Sequence, residues 1–134
     1  VRGAFKHKVR PVLLNSWEVA YFDINERKLL ALAKKAKEAG VELFVMDDGW
    51  FGERNDDAHS LGDWEVNEKK LPGGLAGLGR KIKALGLDFG IWVEPEMVNV
   101  DSRLYDRDSG KTARGGTQSA HSGSYENRSA GLYY

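Results

Sequence analysis

Cysteine is absent from this chain of 134 residues. Disulfides therefore cannot staple the fold, and the absence fits a reducing compartment, so a cytoplasmic location is expected. Neither acidic nor basic residues are in excess. Twenty Lys and Arg balance twenty Asp and Glu, so no global field favours nucleic acid or an anionic membrane. No apolar run approaches the length needed to cross a bilayer. Val1-Arg2-Gly3-Ala4-Phe5-Lys6-His7-Lys8 lacks the apolar stretch of a signal peptide. His7, His59 and His121 are isolated, and no Ser-His-Asp order is recognisable. The chain starts without Met and reads as a piece of something longer.

What is present is enough for one domain with a modest core, since 41% of residues are hydrophobic and 30% charged. Val12-Leu13-Leu14 after Pro11 predicts a buried strand, followed by Asn15-Ser16-Trp17-Glu18 as its C-terminal loop. Asn25 predicts a helix N-cap, with Ile24 and Leu29 placed for a hydrophobic staple. A helix over 26–39 follows, with Leu29, Leu32, Ala33 and Ala36 on one stripe and Gly40 as its stop. A second strand is expected over 41–46, then a long polar loop from about 50 to 74. Leu75, Leu78, Ile82 and Leu85 form another helical stripe ending at Gly86, and a third strand is expected over 89–93.

The order β-α-β-α-β implies crossover connections and a parallel sheet in an α/β fold. Either an open doubly wound sheet or part of a (β/α)8 barrel meets this pattern. No phosphate-binding glycine turn follows the first strand, which counts against a dinucleotide fold. Gly110-Lys111-Thr112 fails as a P-loop because Tyr105 stands where the first glycine is required. From about Ser102 the apolar pattern fails. Leu104 and Leu132 are the only aliphatic residues larger than alanine in that stretch, so 102–134 is expected to be a disordered or aberrant tail.

Polar and aromatic residues cluster after each strand: Trp17, then Asp47, Asp48 and Trp50, then Trp92, Glu94 and Glu96. In a parallel sheet those ends share one face, where barrel enzymes build their sites. Asp47-Asp48-Gly49-Trp50 follows the apolar run Leu43-Phe44-Val45-Met46 directly, and adjacent carboxylates there are costly unless something binds them. Sugar hydroxyls donate to carboxylates, and tryptophan offers a flat apolar wall to a pyranose ring. Carboxylates and tryptophans with few basic groups therefore favour a carbohydrate site. A metal reading would recruit Asp47, Asp48, Asp56, Asp57, His59 and Asp63 for a hard cation, but the spacing matches neither an EF-hand nor a zinc motif. A solvated acidic loop explains Asp56 and Asp57 well and Asp47 and Asp48 poorly. Glu94 and Glu96 could serve as acid and base, but orientation of neighbours is the preferred reading. Trp64 is expected to pack the long loop. Asn127-Arg128-Ser129 is a chance sequon.

These motifs, from Arg10-Pro11-Val12-Leu13-Leu14-Asn15-Ser16-Trp17-Glu18 through Asp47-Asp48-Gly49-Trp50-Phe51-Gly52, Gly62-Asp63-Trp64 and Leu71-Pro72-Gly73-Gly74 to Trp92-Val93-Glu94-Pro95-Glu96-Met97-Val98, resemble the catalytic barrel of glycoside hydrolase family 36 over about residues 1–105. The resemblance implies the first three parallel strands and two helices of a (β/α)8 TIM barrel, with residues 1–101 as a partial catalytic barrel. It implies a retaining α-galactosidase acting on galactosides such as melibiose or raffinose, without a cofactor, and homo-oligomeric when full-length. By position, Asp47 and Asp48 look like the carboxylates that hold galactose hydroxyls, and Trp17 and Trp92 look like aromatic walls. The family's nucleophile and acid/base belong to later segments not found here, so no catalytic residue is assigned and the isolated chain is expected to be inactive. The loss of pattern after Tyr105 is expected to mark a truncation or frameshift.

Overall fold

The computed structural model describes residues 7–108, with side chains through Asp106. Three strands, β1 (Leu13–Asn15), β2 (Leu43–Met46) and β3 (Asp88–Ile91), form one parallel sheet in the order β1-β2-β3. The crossovers run through α2 (Glu26–Glu38) and α3 (Gly74–Ala84). Two further helices, α1 (Trp17–Ala20) and α4 (Arg103–Asp108), were not legible as periodic stripes because each is about one turn long. The architecture is the α/β arrangement of three parallel strands and two principal helices expected from the pattern, with an open sheet.

Local chemistry accounts for the long elements. Asn25 caps α2, its side-chain oxygen accepting from Lys28 N at 3.0 Å. Leu29, Ala33 and Ala36 form the buried stripe, and Gly40 ends the helix at φ +86°, a left-handed conformation that suits glycine. The same periodicity in α3 buries Gly77, Leu78 and Ile82. Lys81 on α3 pairs with Glu26 on α2 at 2.6 Å.

Register decides which side chains share a face. Leu14, Phe44 and Phe89 are neighbours across the ladder, as are Asn15, Val45 and Gly90. Phe89 lies so close to α3 that a Cβ on Gly79 would sit 3.2 Å from its ring. The Leu14–Phe44–Phe89 row therefore faces the helices, and the row of Asn15 faces the opposite side. β3 stops at Ile91, two residues short of expectation, yet Trp92 N still donates to Met46 O at 2.9 Å. The core joins Leu29, Phe44, Met46, Trp50, Phe51, Leu71, Leu78 and Ile82. Both β1 and β3 have an open edge, and Val12 and Leu13 on the β1 side are 58% and 42% exposed.

The segment expected to be a polar loop is a tethered excursion. Phe51 and Val66 form an antiparallel bridge, and Asn67 N donates to Trp50 O at 2.9 Å. Its outer part is held by the chain after β3. Asn99 N donates to Leu61 O at 2.9 Å and Asn99 Oδ1 accepts from Leu61 N at 2.8 Å. Asp63 accepts from Arg103 N and Leu104 N at the start of α4. Ser102 is only 1% exposed, so order continues past residue 101 because the excursion supplies partners that residues 102–106 could not supply for themselves. The rest of the expected tail, 109–134, lies outside the described residues. Among the described residues no helix is long and apolar enough to cross a membrane.

Truncating Leu78, which is fully buried, to alanine should cost about 2–5 kcal/mol. Urea unfolding is expected to show the loss as a lower midpoint, while Val19→Ala, at a residue 66% exposed, should stay within about 0.5 kcal/mol of the parent.

Candidate functional site

Asp47 and Asp48 terminate β2, and both are buried, at 8% and 5% exposure. Each carboxylate is held in a different way. Asp47 Oδ2 accepts from Asn15 Nδ2 at 2.5 Å, and Oδ1 accepts from Asp48 N at 2.8 Å. Its own N–H donates to Ser16 Oγ at 3.0 Å. Asn15 is a bridge, because its Oδ1 also accepts from Trp17 N at 2.7 Å. The end of β1 thus positions Asp47 and the start of α1 together.

Asp48 is met by a cation. Arg54 Nε lies 3.0 Å from both carboxylate oxygens, and Nη2 lies 2.8 Å from Oδ2. Gly49 N adds a donor to Oδ1 at 2.6 Å. Arg54 is itself 3% exposed, and its guanidinium sits 5.3 Å from the Phe22 ring centre and 6.0 Å from that of Phe51. Its Nη1 donates to His59 O at 3.0 Å and lies 3.4 Å from Asn99 Oδ1. Removing one partner of such a buried pair typically costs about 3–5 kcal/mol, because the other charge is left uncompensated.

A second cation braces the loops from behind. Lys70 Nζ donates to three backbone carbonyls, of Phe22 at 3.1 Å, Gly49 at 2.8 Å and Arg54 at 3.1 Å. Burial pushes this ammonium below the usual lysine range, opposed by the charges of Asp23, Asp48 and Glu53. Gly49 allows the approach. At φ +96° a Cβ there would lie 3.0 Å from Phe22 Cα and from Phe22 O.

The aromatic residues divide into two groups. Trp17 is half-buried and meets Tyr21 and Phe22 edge-on, with ring centres 5.1 Å apart in each case. Trp92 is half-buried beside Trp64, centres 6.3 Å apart. Trp50, grouped with these two as a potential wall, is 2% exposed and belongs to the core. Its indole N–H donates to Trp92 O at 2.9 Å, so it holds Trp92 in place. Trp64 packs on Phe51 and Trp50, as expected of a loop-packing residue.

Glu94 follows Trp92 and is half-buried. Burial lifts its carboxyl above the ordinary glutamate range, Glu96 and Asp48 push it further, and Arg54 opposes them. The residues of the metal reading do not converge. Asp56 pairs with His59 at 2.6 Å on the surface, Asp63 caps α4, and Asp48 is taken by Arg54. Among the described residues no three of His, Asp and Glu form a group that could hold a metal ion.

Sequence reasoning therefore missed Asn15, Arg54 and Lys70, and its picture of a site with few basic groups needs correction. The available signal was an arginine six residues beyond a buried aspartate, since a carboxylate without a cation is costly there.

A family model described as Melibiase matches residues 1–121. The chain belongs to the melibiase family. Within it, the chain is 60% identical over 104 residues to alpha-galactosidase AgaA of Geobacillus stearothermophilus, covering 78% of this chain and 14% of that enzyme. It is 57% identical over 104 residues to the bifunctional alpha-galactosidase/sucrose kinase AgaSK of Mediterraneibacter gnavus, covering 78% of this chain and 11% of that protein. The crystal structure of AgaA, a GH36 alpha-galactosidase, superposes with a TM-score of 0.79 at 52% identity, over 91% of this chain and 17% of the other. A variant of AgaA in complex with raffinose superposes equally well, with a TM-score of 0.79 at 51% identity, over the same shares of the two chains. The family resemblance read from the motifs is thus shown, and the chain spans less than a fifth of the length of these relatives.

Replacing Lys70 by methionine should leave three carbonyl oxygens short of a donor and destabilise the fold by about 1–3 kcal/mol, measurable by chemical denaturation. Glu94 generates a pH effect of known sign. Its carboxyl is raised in the folded state, so its contribution to stability is full below the ordinary glutamate pKa and is lost as pH rises through the raised value. Glu94→Gln is therefore expected to lose less stability than the parent as pH rises above the ordinary glutamate range, in urea midpoints measured across that rise.

Proposed function

We propose that this chain carries part of the galactose-binding subsite of a retaining α-galactosidase that hydrolyses terminal α-galactosyl residues. Asp47 and Asp48 accept sugar hydroxyls, and Trp17 and Trp92 provide apolar walls. The observation that carries this reading is the buried Asp47–Asp48 pair at the end of β2, with its donors supplied from three directions. An ionised carboxylate offers about four acceptor sites. Asp47 has one protein donor on each oxygen, which leaves acceptor capacity for a ligand. Charge-assisted bonds to hydroxyls contribute roughly 1.5–3 kcal/mol each. One relative supports the substrate class by two complexes, variants of AgaA with stachyose and with raffinose.

We read neither aspartate as the nucleophile. A retaining mechanism uses two carboxyls about 5–5.5 Å apart across the scissile bond, and the family resemblance assigns both roles to later segments than those read in this sequence. The chain by itself therefore binds and does not turn substrate over. A second reading, a non-catalytic piece that works by joining another chain, draws on the two open sheet edges and the exposure of Val12 and Leu13.

Titration with galactose, followed by tryptophan fluorescence, is expected to give a saturable change, and Asp47→Asn should weaken it about tenfold or more. Asp47 is the better position to change, because substitution of Asp48 would strand Arg54. An identical titration curve for Asp47→Asn would overturn the assignment. Addition of the remaining barrel strands as a separate polypeptide should restore hydrolysis, and binding without hydrolysis would favour the second reading.

A further inference from the structure

We propose that Arg54 is a positioning residue for the sugar subsite, fixing the orientation of Asp48 and coupling it to the segment that follows β3. The proposal rests on the galactoside reading above and adds a residue to it. The guanidinium approaches Asp48 through Nε and Nη2, while Gly49 N occupies a further site on Oδ1. Most of the acceptor capacity of Asp48 is thus committed to protein donors, and the direction left for a hydroxyl is whatever the guanidinium plane does not cover. Rotating Asp48 would break three contacts to Arg54 at once, so the carboxylate is held in one rotamer before any ligand arrives.

The other end of Arg54 makes it more than a counter-ion. Nη1 reaches His59 O at 3.0 Å and Asn99 Oδ1 at 3.4 Å. Asn99 Oδ1 also accepts from Leu61 N, and Ser102 Oγ donates to Asn99 O at 2.8 Å. One planar group therefore joins the end of β2, the excursion between Trp50 and Lys70, and the chain beyond Trp92. Phe22, in the loop after α1, lies over the guanidinium. The charge alone cannot perform this task. A lysine ammonium at the same place would present a point charge without the planar fork that meets a carboxylate in bidentate fashion, and without the flat face that rests on Phe22.

The test is a galactose titration of the whole chain carrying Arg54→Lys or Arg54→Ala, with folding checked by circular dichroism and by the emission of buried Trp50. Arg54→Lys keeps the charge, and a folded Arg54→Lys protein is expected to bind about tenfold or more weakly than the parent. Millimolar methylguanidinium should restore part of the response in Arg54→Ala and none in Arg54→Lys. Parent-like binding by folded Arg54→Lys would overturn the proposal while leaving the sugar site intact. Absence of any galactose response in the parent would instead overturn the subsite reading, and the proposal with it. Should both variants fail to fold, the Nε–H resonance of Arg54 in the ¹⁵N-labelled parent decides. A shift on adding galactose, lost in Asp47→Asn, supports the positioning role, and an unmoved resonance under saturating galactose overturns it.

Discussion

A carboxylate pair at the end of a buried strand must be solvated by the protein itself, and most of the local architecture follows from how this is done. Asp48 lies under a guanidinium at 2.8–3.0 Å, and Asp47 under an amide at 2.5 Å. The guanidinium in turn needs partners for its remaining N–H groups and finds them on His59 and Asn99. Asn99 ties down Leu61. The excursion after β2 is therefore ordered because the charge at its root has to be compensated, and the segment after β3 is ordered because the excursion offers it hydrogen bonds. Among the described residues no buried side-chain nitrogen or oxygen lacks a hydrogen-bond partner, as expected where each unmet group would cost about 1–3 kcal/mol.

The three parallel strands add the second constraint. Their register places Asn15 beside Val45 and Gly90, and the alternation of side chains then carries Asp47 and Trp92 to the same sheet face as Asn15. Helices cover the other face, so the polar ends of all three strands meet away from the core. This is the geometry in which parallel α/β barrels concentrate their binding groups. Here it carries Asn15, Asp47 and Trp92 to one face from three separate stretches of chain, while Asp48, one residue out of phase with Asp47, is met by Arg54. The open edges of β1 and β3 are the physical counterpart of a chain that covers 17% of the AgaA crystal structure.

The elements themselves were legible because their causes are short-ranged. Asn25 and Gly40 bracket α2 at their own positions, and the 3.6-residue stripes of α2 and α3 bury the residues the pattern singles out, Leu29, Ala33, Ala36, Leu78 and Ile82 among them. The one-turn helices α1 and α4 were not legible, being too short to show a stripe. The long excursion read as a polar loop because its order comes from partners about 40 residues away, such as Asn99 for Leu61 and Asp63 for Arg103. Trp50 was grouped with Trp17 and Trp92 as one aromatic set, since residue type does not reveal that one indole is 2% exposed.

Strand and helix order, the position of Asp47 and Asp48 after β2, and the family could all be read along the chain, because apolar periodicity, helix capping and contiguous motifs act within a few residues. Which groups answer those carboxylates follows from the fold. Asn15 reaches Asp47 across 32 positions and Trp50 reaches Trp92 across 42. Lys70 closes on three carbonyls from two different loops. Even Arg54, six positions from Asp48, meets it only because the bridge between Phe51 and Val66 and the rings of Phe22 and Phe51 set where the guanidinium can lie. Hydrogen bonds and ion pairs depend on distance and angle in space, and those are established only when the parallel register brings the strand ends together.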